Sequence, residues 1–154
     1  MCPAIPPDVE RALADLGLPD RFAIPLTSYV ACLIDHLAPS CIILYGSLAK
    51  GTYTTSSDID LVVVARQLPK DFLDRLRVLQ EFHDTAGPIE ALGYTPEEFQ
   101  DMLKRGHVTA LEALADGVPV YGDRYFSGLK EIFQDLVRRG LHRSTCSWVL
   151  PRPA

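Results

Sequence analysis

The residues best suited to chemistry in this chain are a Gly-Ser pair, Gly46-Ser47, and two aspartates that follow it, Asp58 and Asp60. Glycine lacks a Cβ, so the backbone can turn sharply there and let a large anion approach the following N–H groups. If residues 48–50 form a helical turn, its unpaired N–H groups point to the same place, which favours phosphate. The pair therefore predicts an anion-binding turn, to which Ser47 adds a hydroxyl.

The two aspartates predict a site for a divalent cation. They are two residues apart, so on a strand both carboxylates project from one face while Ile59 and Leu61 face the core. Adjacent carboxylates repel each other unless a cation lies between them. A hard, oxygen-ligated ion such as Mg²⁺, held also by substrate phosphates, suits this pair. The alternatives are ordinary: a Gly-Ser pair is often only a turn, and Asp-x-Asp is often a solvated strand edge or a cap.

Apolar runs on either side predict the strands that position these residues. Cys41 to Tyr45, which ends at a glycine, and Ile59 to Val64 are typical of buried strands. Val118 to Tyr121 predicts a further strand, and Pro119 within it is tolerated only at the edge of a sheet.

A third acidic residue lies in another apolar run. Pro88 to Tyr94 predicts a strand in which Glu90, Leu92 and Tyr94 share one face. A charged residue in such a strand seldom stays buried without a partner. Glu90 is therefore the third candidate carboxylate, and the alternative is an ordinary glutamate at a strand edge.

Helices are predicted from apolar periodicity and from capping signals. The predicted helices are Asp8 to Leu16, Phe22 to Leu37, Pro69 to Thr85, Thr95 up to Gly106, Val108 to Ala115 and Asp123 to Arg139. Pro25 is expected in the first turn of the second helix or just before it. Arg75 is expected on the polar side of the third, whose apolar side includes Phe82 or His83, and which Gly87-Pro88 ends. Thr95 to Glu98 predicts a capping box.

Composition predicts one soluble domain over residues 1–154, with a loose N-terminus at 1–7 and a basic tail at 141–154. Of the 154 residues, 47% are hydrophobic and 23% charged, and the net charge of −5 disfavours a general nucleic-acid binder. Trp148, Val149 and Leu150 in the tail give a weak indication of a docking segment. We expect a cytoplasmic protein without a signal peptide or membrane span. The cysteines, expected to be reduced thiols, are Cys2, Cys32, Cys41 and Cys146.

Two phosphate-binding patterns compete for the central stretch. Gly46 and Gly51 have the glycine spacing of a P-loop, but Thr52 stands where its lysine would be, which excludes that motif. Gly46-Ser47, ten residues and then Asp58-Ile59-Asp60 instead resembles the signature of the polymerase-β-like nucleotidyltransferase superfamily. The fuller form, GSLAKGTYTTSSDIDL, resembles the minimal nucleotidyltransferases, which are small stand-alone bacterial and archaeal proteins.

The resemblance extends to the third predicted strand. PIEALGY followed by TPEEF is similar to the Pro-apolar-Asp-apolar strand and Thr-Pro-Glu-Glu-Phe helix start of minimal nucleotidyltransferases. Glu90 falls on the third acidic position, as a glutamate where aspartate is usual. One extra methylene leaves metal binding feasible and changes its geometry.

The resemblance implies a fold and a mechanism. The fold is α/β, a small mixed β-sheet flanked by helices, like the palm of polymerase β. Asp58 and Asp60 would hold two Mg²⁺ ions, and Glu90 would serve as metal ligand and general base. A nucleoside triphosphate, with ATP the expected donor, would transfer its nucleoside monophosphate to a hydroxyl of a protein or small-molecule acceptor. The residues that would bind the nucleotide are Gly46, Ser47, Lys50, Gly51 and Ser57.

Two other functions stay open from the sequence. The chain also resembles the nucleotidyltransferase partner of bacterial toxin-antitoxin pairs, whose helical partner is of the HEPN type; there, complex formation can replace catalysis. An exposed apolar patch near the tail would favour that partner, and a deep cleft beside Asp58 and Glu90 without such a patch would favour a small-molecule acceptor. An antibiotic-modifying nucleotidyltransferase is disfavoured because those proteins usually carry a further acceptor-binding domain. A homo-oligomer is compatible with the sequence.

Overall fold

The computed structural model describes residues 4–82 and 88–152. Strand and helix bounds follow the apolar runs closely. The strands are β1 Cys41–Tyr45, β2 Ile59–Val64, β3 Ile89–Tyr94, β4 Val118–Tyr121, β5 His142–Arg143 and β6 Trp148–Val149. The helices are α1 Pro7–Asp15, α2 Asp20–Leu37, α3 Ser47–Lys50, α4 Phe72–Glu81, α5 Pro96–Lys104, α6 Val108–Asp116 and α7 Asp123–Arg138. The predicted α/β class with a small mixed sheet is confirmed.

The main sheet has four strands in the order β3-β2-β1-β4. β1 lies antiparallel to both of its neighbours, whereas β2 and β3 are parallel and are connected through α4. β4 is an edge strand, as Pro119 predicted. The order places the end of β1 and the starts of β2 and β3 side by side, which is where the predicted site residues lie.

Helices cover both faces of the sheet. One core joins α1, α2 and α4 to the sheet face that carries Ile42, Leu44 and Leu61. The other joins α5, α6 and α7 to the opposite face, which carries Ile43, Val62 and others. The strands alternate between the two cores because successive side chains point to opposite faces.

Two helices differ from their predicted bounds. α2 begins at Asp20, and Pro25 lies inside it, beyond its first turn, so the expected position of this proline was wrong. α4 runs only from Phe72 to Glu81, shorter at its start than predicted. His83, Thr85 and Gly87 fall outside the described residues, and so does Cys2.

Arg75, which was expected on the polar side of α4, is buried. Its side chain is only 7% exposed and ion-pairs with Glu98 at 2.7 Å. Its guanidinium also donates to the carbonyl oxygens of Pro69 and Gly93. The predicted capping box at Thr95 is confirmed, so Glu98 bonds both the backbone N–H of Thr95 and the buried guanidinium.

The C-terminal segment folds back as a hairpin of β5 and β6. The Trp148 ring packs edge-on against Phe133, with centroids 6.1 Å apart, and its indole N–H donates to Glu112 at 3.1 Å. Arg143 ion-pairs with Glu112 and Asp116 at 2.8 and 2.7 Å. Of the three residues that gave a weak indication of a docking segment, Trp148 thus packs within the chain, whereas Val149 and Leu150 are exposed. None of the helices described is long and apolar enough to cross a membrane.

Candidate active site

The Gly-Ser pair forms a tight turn between β1 and α3. Gly46 has a φ of 75° and caps the single helical turn Ser47–Lys50, whose last N–H bonds back to the Gly46 carbonyl at 3.1 Å. Gly51 ends the turn, also with positive φ. Residues 48–50 therefore lie in a helical turn, the condition on which the predicted anion site depended, and Ser47 is half-buried at its start.

Gly46 lies directly against a carboxylate. A Cβ at this position would be 2.5 Å from Oδ2 of Asp60, closer than real Cβ atoms approach any atom. Two constraints therefore favour glycine here: the left-handed backbone conformation and the approach of the Asp60 carboxylate.

Three polar side chains form a row across the sheet. Asp60 is paired in register with Tyr45 on the antiparallel neighbour and with Glu90 on the parallel neighbour. Residues directly opposite each other on adjacent strands share a face. Tyr45, Asp60 and Glu90 therefore lie side by side, and the carboxyls of Asp60 and Glu90 are close enough to hydrogen-bond. Asp58, just before β2, is exposed.

The electrostatics of the row follow from burial and like charge. Burial raises the pKa of Asp60 to about 6, and the neighbouring charges of Glu90 and Asp58 contribute to the rise. Burial also raises the pKa of Tyr45 to about 12, with added contributions from Asp60, Tyr94 and Glu90. Tyr45 is therefore a neutral phenol, and Asp60 and Glu90 form a carboxylate pair whose repulsion a cation would relieve.

The donor chemistry of the row fits a hard cation. Asp60 and Glu90 offer carboxylate oxygens from adjacent strands, and Asp58 lies two residues before Asp60; such oxygens are the ligands that Mg²⁺ prefers. Among residues 4–82 and 88–152, however, no three acidic, histidine or cysteine side chains are already gathered as a metal cluster. Asp60 and Glu90 thus lie opposite each other on β2 and β3, and among the described residues Asp58 does not complete a cluster with them.

A cavity of about 390 Å³ opens beside the row. It follows β3 from Ile89 to Leu92, with Glu90 and Tyr45 on the side of the carboxylate row. Its other wall comes from α2 and α4. The residues of that wall are Tyr29, Leu76, Leu79 and Gln80.

The central part of the sequence matches a known family. The family model described as Polymerase beta, Nucleotidyltransferase matches residues 30–123, well over half of the chain, and includes the turn, all three acidic residues and the four-stranded sheet. The chain belongs to this nucleotidyltransferase family. The resemblance noted in the sequence is confirmed.

A shorter part of the chain is similar to a protein of related function. A segment of 40 residues is 52% identical to a candidate protein adenylyltransferase of Methanocaldococcus jannaschii, covering 26% of this chain and 27% of that protein. The aligned part thus spans about a quarter of that relative's length.

Three solved structures resemble the nucleotidyltransferase chain in backbone, at TM-scores below 0.5. A candidate nucleotidyltransferase from Sulfolobus solfataricus is 15% identical, covering 75% of this chain and 88% of that one, with a TM-score of 0.47. A toxin-antitoxin with AMP-PNP is 19% identical (71% and 86% covered, TM-score 0.44). A mutant of the toxin-antitoxin MntA-HpeT is 16% identical (73% and 89% covered, TM-score 0.45).

Two of the residues predicted to bind nucleotide have other partners in this nucleotidyltransferase. The Lys50 ammonium lies 3.7 Å from Asp116 and 3.9 Å from Glu112, the same carboxylates that pair with the C-terminal hairpin. The Ser57 hydroxyl accepts the backbone N–H of Thr54 at 2.8 Å and so shapes the loop before β2. The structure brings Gly46, Asp60 and Glu90 together; it does not bring Lys50 to them.

Tyr45 is the site residue that the sequence interpretation missed. Its signal was present, since it is the last residue of β1 before the Gly-Ser turn. The missing information was the register, which pairs Tyr45 with Asp60.

Proposed function

We propose that this chain transfers a nucleoside monophosphate from ATP to a hydroxyl group of an acceptor and releases pyrophosphate. The observation that carries the proposal is the contact between Asp60 and Glu90 beside the Gly46 turn. At this place, a backbone turn that can bind phosphate lies next to carboxylates that can bind a cation. Both lie within the segment that matches the family model.

The reaction is a single displacement at phosphorus. The acceptor oxygen uses a lone pair to form a bond to the α-phosphorus, and the bond from that phosphorus to the bridging oxygen breaks. Pyrophosphate leaves with that electron pair, and the hydroxyl proton passes to the Glu90 carboxylate, which acts as general base. Gly46 and Ser47 bind and orient the phosphates through backbone N–H groups and the serine hydroxyl, while Gly51 sets the shape of the turn.

Asp58, Asp60 and Glu90 would hold two Mg²⁺ ions, whose contribution is to neutralise the phosphates and to make the acceptor hydroxyl more acidic. The neutral phenol of Tyr45 lies beside them and offers a hydrogen-bond donor next to Asp60. Lys50 has no part in this proposal because its ammonium lies with Glu112 and Asp116. Ser57 contributes through the loop that it shapes.

A protein is the acceptor that we favour over a small molecule. The local similarity to a candidate protein adenylyltransferase supports this choice, and that segment is 52% identical. The acidic net charge of −5 disfavours a polyanionic nucleic acid as acceptor.

The experiment compares pyrophosphate release by the wild type, Glu90→Gln and Glu90→Asp in the presence of Mg²⁺ and acceptor proteins. Loss of the general base is expected to reduce the rate at least about 100-fold in Glu90→Gln while the protein stays folded. Glu90→Asp keeps a carboxylate and is expected to retain transfer. A Glu90→Gln protein as active as the wild type would exclude the proposed role.

A second candidate function is a module that binds a helical partner, of the HEPN type in the toxin-antitoxin pairs that the sequence resembles. The observation that favours it is a set of exposed apolar side chains at the start of α6, near the end of α7 and just after β6, with Val108 60%, Val137 45% and Leu150 49% exposed. Val108→Asp would weaken such a complex and leave ATP binding unchanged, which separates the two functions.

A further inference from the structure

β3 is an edge strand of the main sheet and carries Glu90 of the candidate active site. We infer that a segment of the acceptor protein pairs with this edge as an added strand and thereby places its hydroxyl side chain opposite Glu90. The inference rests on the proposed function and names its acceptor class: a protein that offers an extended segment, rather than a folded surface or a small molecule.

The hydrogen-bond pattern shows which backbone groups face outward. The N–H of Ile59 donates to the carbonyl of Pro88, and the N–H of Ala65 donates to that of Tyr94. In a parallel pair, alternate residues of one strand direct both of their backbone groups to the neighbour. The even-numbered residues of β3 therefore face β2, and Ile89, Ala91 and Gly93 direct their N–H and C=O groups to the outer edge.

One contact confirms this direction. The carbonyl of Gly93 accepts a hydrogen bond from the buried guanidinium of Arg75, which comes from α4 rather than from the sheet. Arg75 thus closes the far end of the edge. At Ile89 and Ala91, beside the carboxylate row, no described residue bonds the outward backbone groups.

The cavity beside the active site follows the same edge. It is lined by four consecutive residues of β3, Ile89 to Leu92, so it has side chains from both faces of the strand. Tyr45 and Glu90 border it on the active-site face, and Leu76 and Leu79 border it on the other. A space that borders both faces of an edge strand is the space that an added strand would occupy.

The two edges of the sheet differ in a way that supports a function for β3. β4, at the opposite edge, contains Pro119 and packs beside α1. Proline and a covering helix are the usual means of preventing strand addition. β3 contains no proline, and its single charged residue is the candidate base Glu90.

Backbone chemistry points to polypeptide as the occupant. Outward N–H and C=O groups to which no described residue bonds recur at Ile89 and Ala91, two residues apart, and a second extended chain offers the matching groups at the same spacing. In an antiparallel addition, the residue opposite Glu90 belongs to a pair without mutual hydrogen bonds, the type with the closer side chains. A Ser, Thr or Tyr there lies on the Glu90 face, about 4.5 to 5.5 Å away between Cβ atoms.

The test uses a library of nine-residue peptides with Ser, Thr or Tyr at the centre and all other positions randomised. Transfer is followed with ATP radiolabelled at the α-phosphorus, against the free amino acids and intact folded proteins. Ala91→Pro removes an outward N–H without breaking a bond to β2, as edge strands tolerate. The matched proline control is Phe72→Pro, at the first position of α4, where the preceding Asp71 is already extended.

We expect the peptides to be labelled and the free amino acids not. Ala91→Pro should reduce peptide labelling by roughly tenfold or more, because a pairing bond is lost and the ring keeps the strands apart. Its affinity for ATP should stay within about twofold of that of the wild type, and Phe72→Pro should label peptides normally. Unlabelled peptides with intact ATP binding would overturn the edge inference alone, whereas absent ATP binding would overturn the proposed function.

A second measurement tests the pairing without changing the protein. Two versions of the best labelled peptide are compared, one N-methylated at its odd-numbered residues and one at its even-numbered residues. One version should lose labelling and the other should keep it, because only alternate N–H groups face β3. Equal tolerance at all positions would contradict strand addition. A wild-type dimer that Ala91→Pro converts to monomer would assign the edge to a second copy of the chain, which also contradicts the inference.

Discussion

Gly46 and Asp60 lie so close that the Asp60 carboxylate occupies the space that a Cβ on Gly46 would need. The positive φ of Gly46 turns the chain into α3, and the missing Cβ leaves Oδ2 of Asp60 free at the surface of the turn. The candidate phosphate turn and the candidate metal ligand are therefore one structural unit.

Gly46→Ala should damage this unit more than backbone strain alone explains. The matched control is Gly17→Ala, since Gly17 also has a positive φ, of 61°, but has open space around its Cβ position. Both variants should lose about 1 to 3 kcal/mol of unfolding free energy from strain. Only Gly46→Ala should also lose affinity for ATP, because Asp60 must move. Thermal unfolding and calorimetric titration measure the two effects, and equal ATP affinity in both variants would contradict the assignment.

Glu98→Gln should make stability less dependent on pH. Partial burial raises the pKa of Glu98, but hydrogen bonds from Arg75 and Thr95 outweigh it and lower the pKa below its ordinary value. The stabilisation is therefore present above the unfolded pKa of about 4.3 and is lost as pH falls through the lower folded value. Urea unfolding at pH 7 should show a loss of roughly 1 to 2 kcal/mol, kept small because Glu98 is 45% exposed.

At acidic pH the difference between the wild type and Glu98→Gln should shrink toward zero. The control is Glu97→Gln, whose partner Arg66 is 72% exposed, so that pair is screened by solvent. A difference that stayed constant between neutral and acidic pH would show that the ion pair with Arg75 does not stabilise the fold.

Trp148→Ala should detach the C-terminal hairpin from α6 and α7. The indole ring packs on Phe133, bonds Glu112 and lies under the Arg143 guanidinium, 4.7 Å from it. A loss of about 1 to 2 kcal/mol is expected for a partly buried tryptophan, with faster amide exchange in the hairpin. Val149→Ala, whose side chain is 41% exposed, should change little. Equal effects of the two would mean that the hairpin is not held by Trp148.

The strands of the main sheet and the candidate carboxylates could be predicted from sequence because both depend on local patterns. Side chains alternate between the two faces of a strand, so the position of Glu90 in its predicted strand determined its face. The spacing of the motif indicated that Asp60 lies near the turn. Arg75 could not be assigned in this way, because the helical pattern of α4 gives it a polar position while its partners, Gly93 and Glu98, follow in later elements. Lys50 is likewise held away from the site by Glu112 and Asp116, which lie far along the chain.

The central claim is that the row of Tyr45, Asp60 and Glu90 binds a nucleotide together with Mg²⁺. Calorimetric titration of ATP with and without Mg²⁺ tests it most directly. The wild type should bind ATP only with Mg²⁺, and Asp60→Asn should bind at least about tenfold more weakly while remaining folded. Asp8→Asn, which changes an exposed aspartate of α1, should bind like the wild type. Equal Mg²⁺-dependent affinity in Asp60→Asn and the wild type would contradict the account.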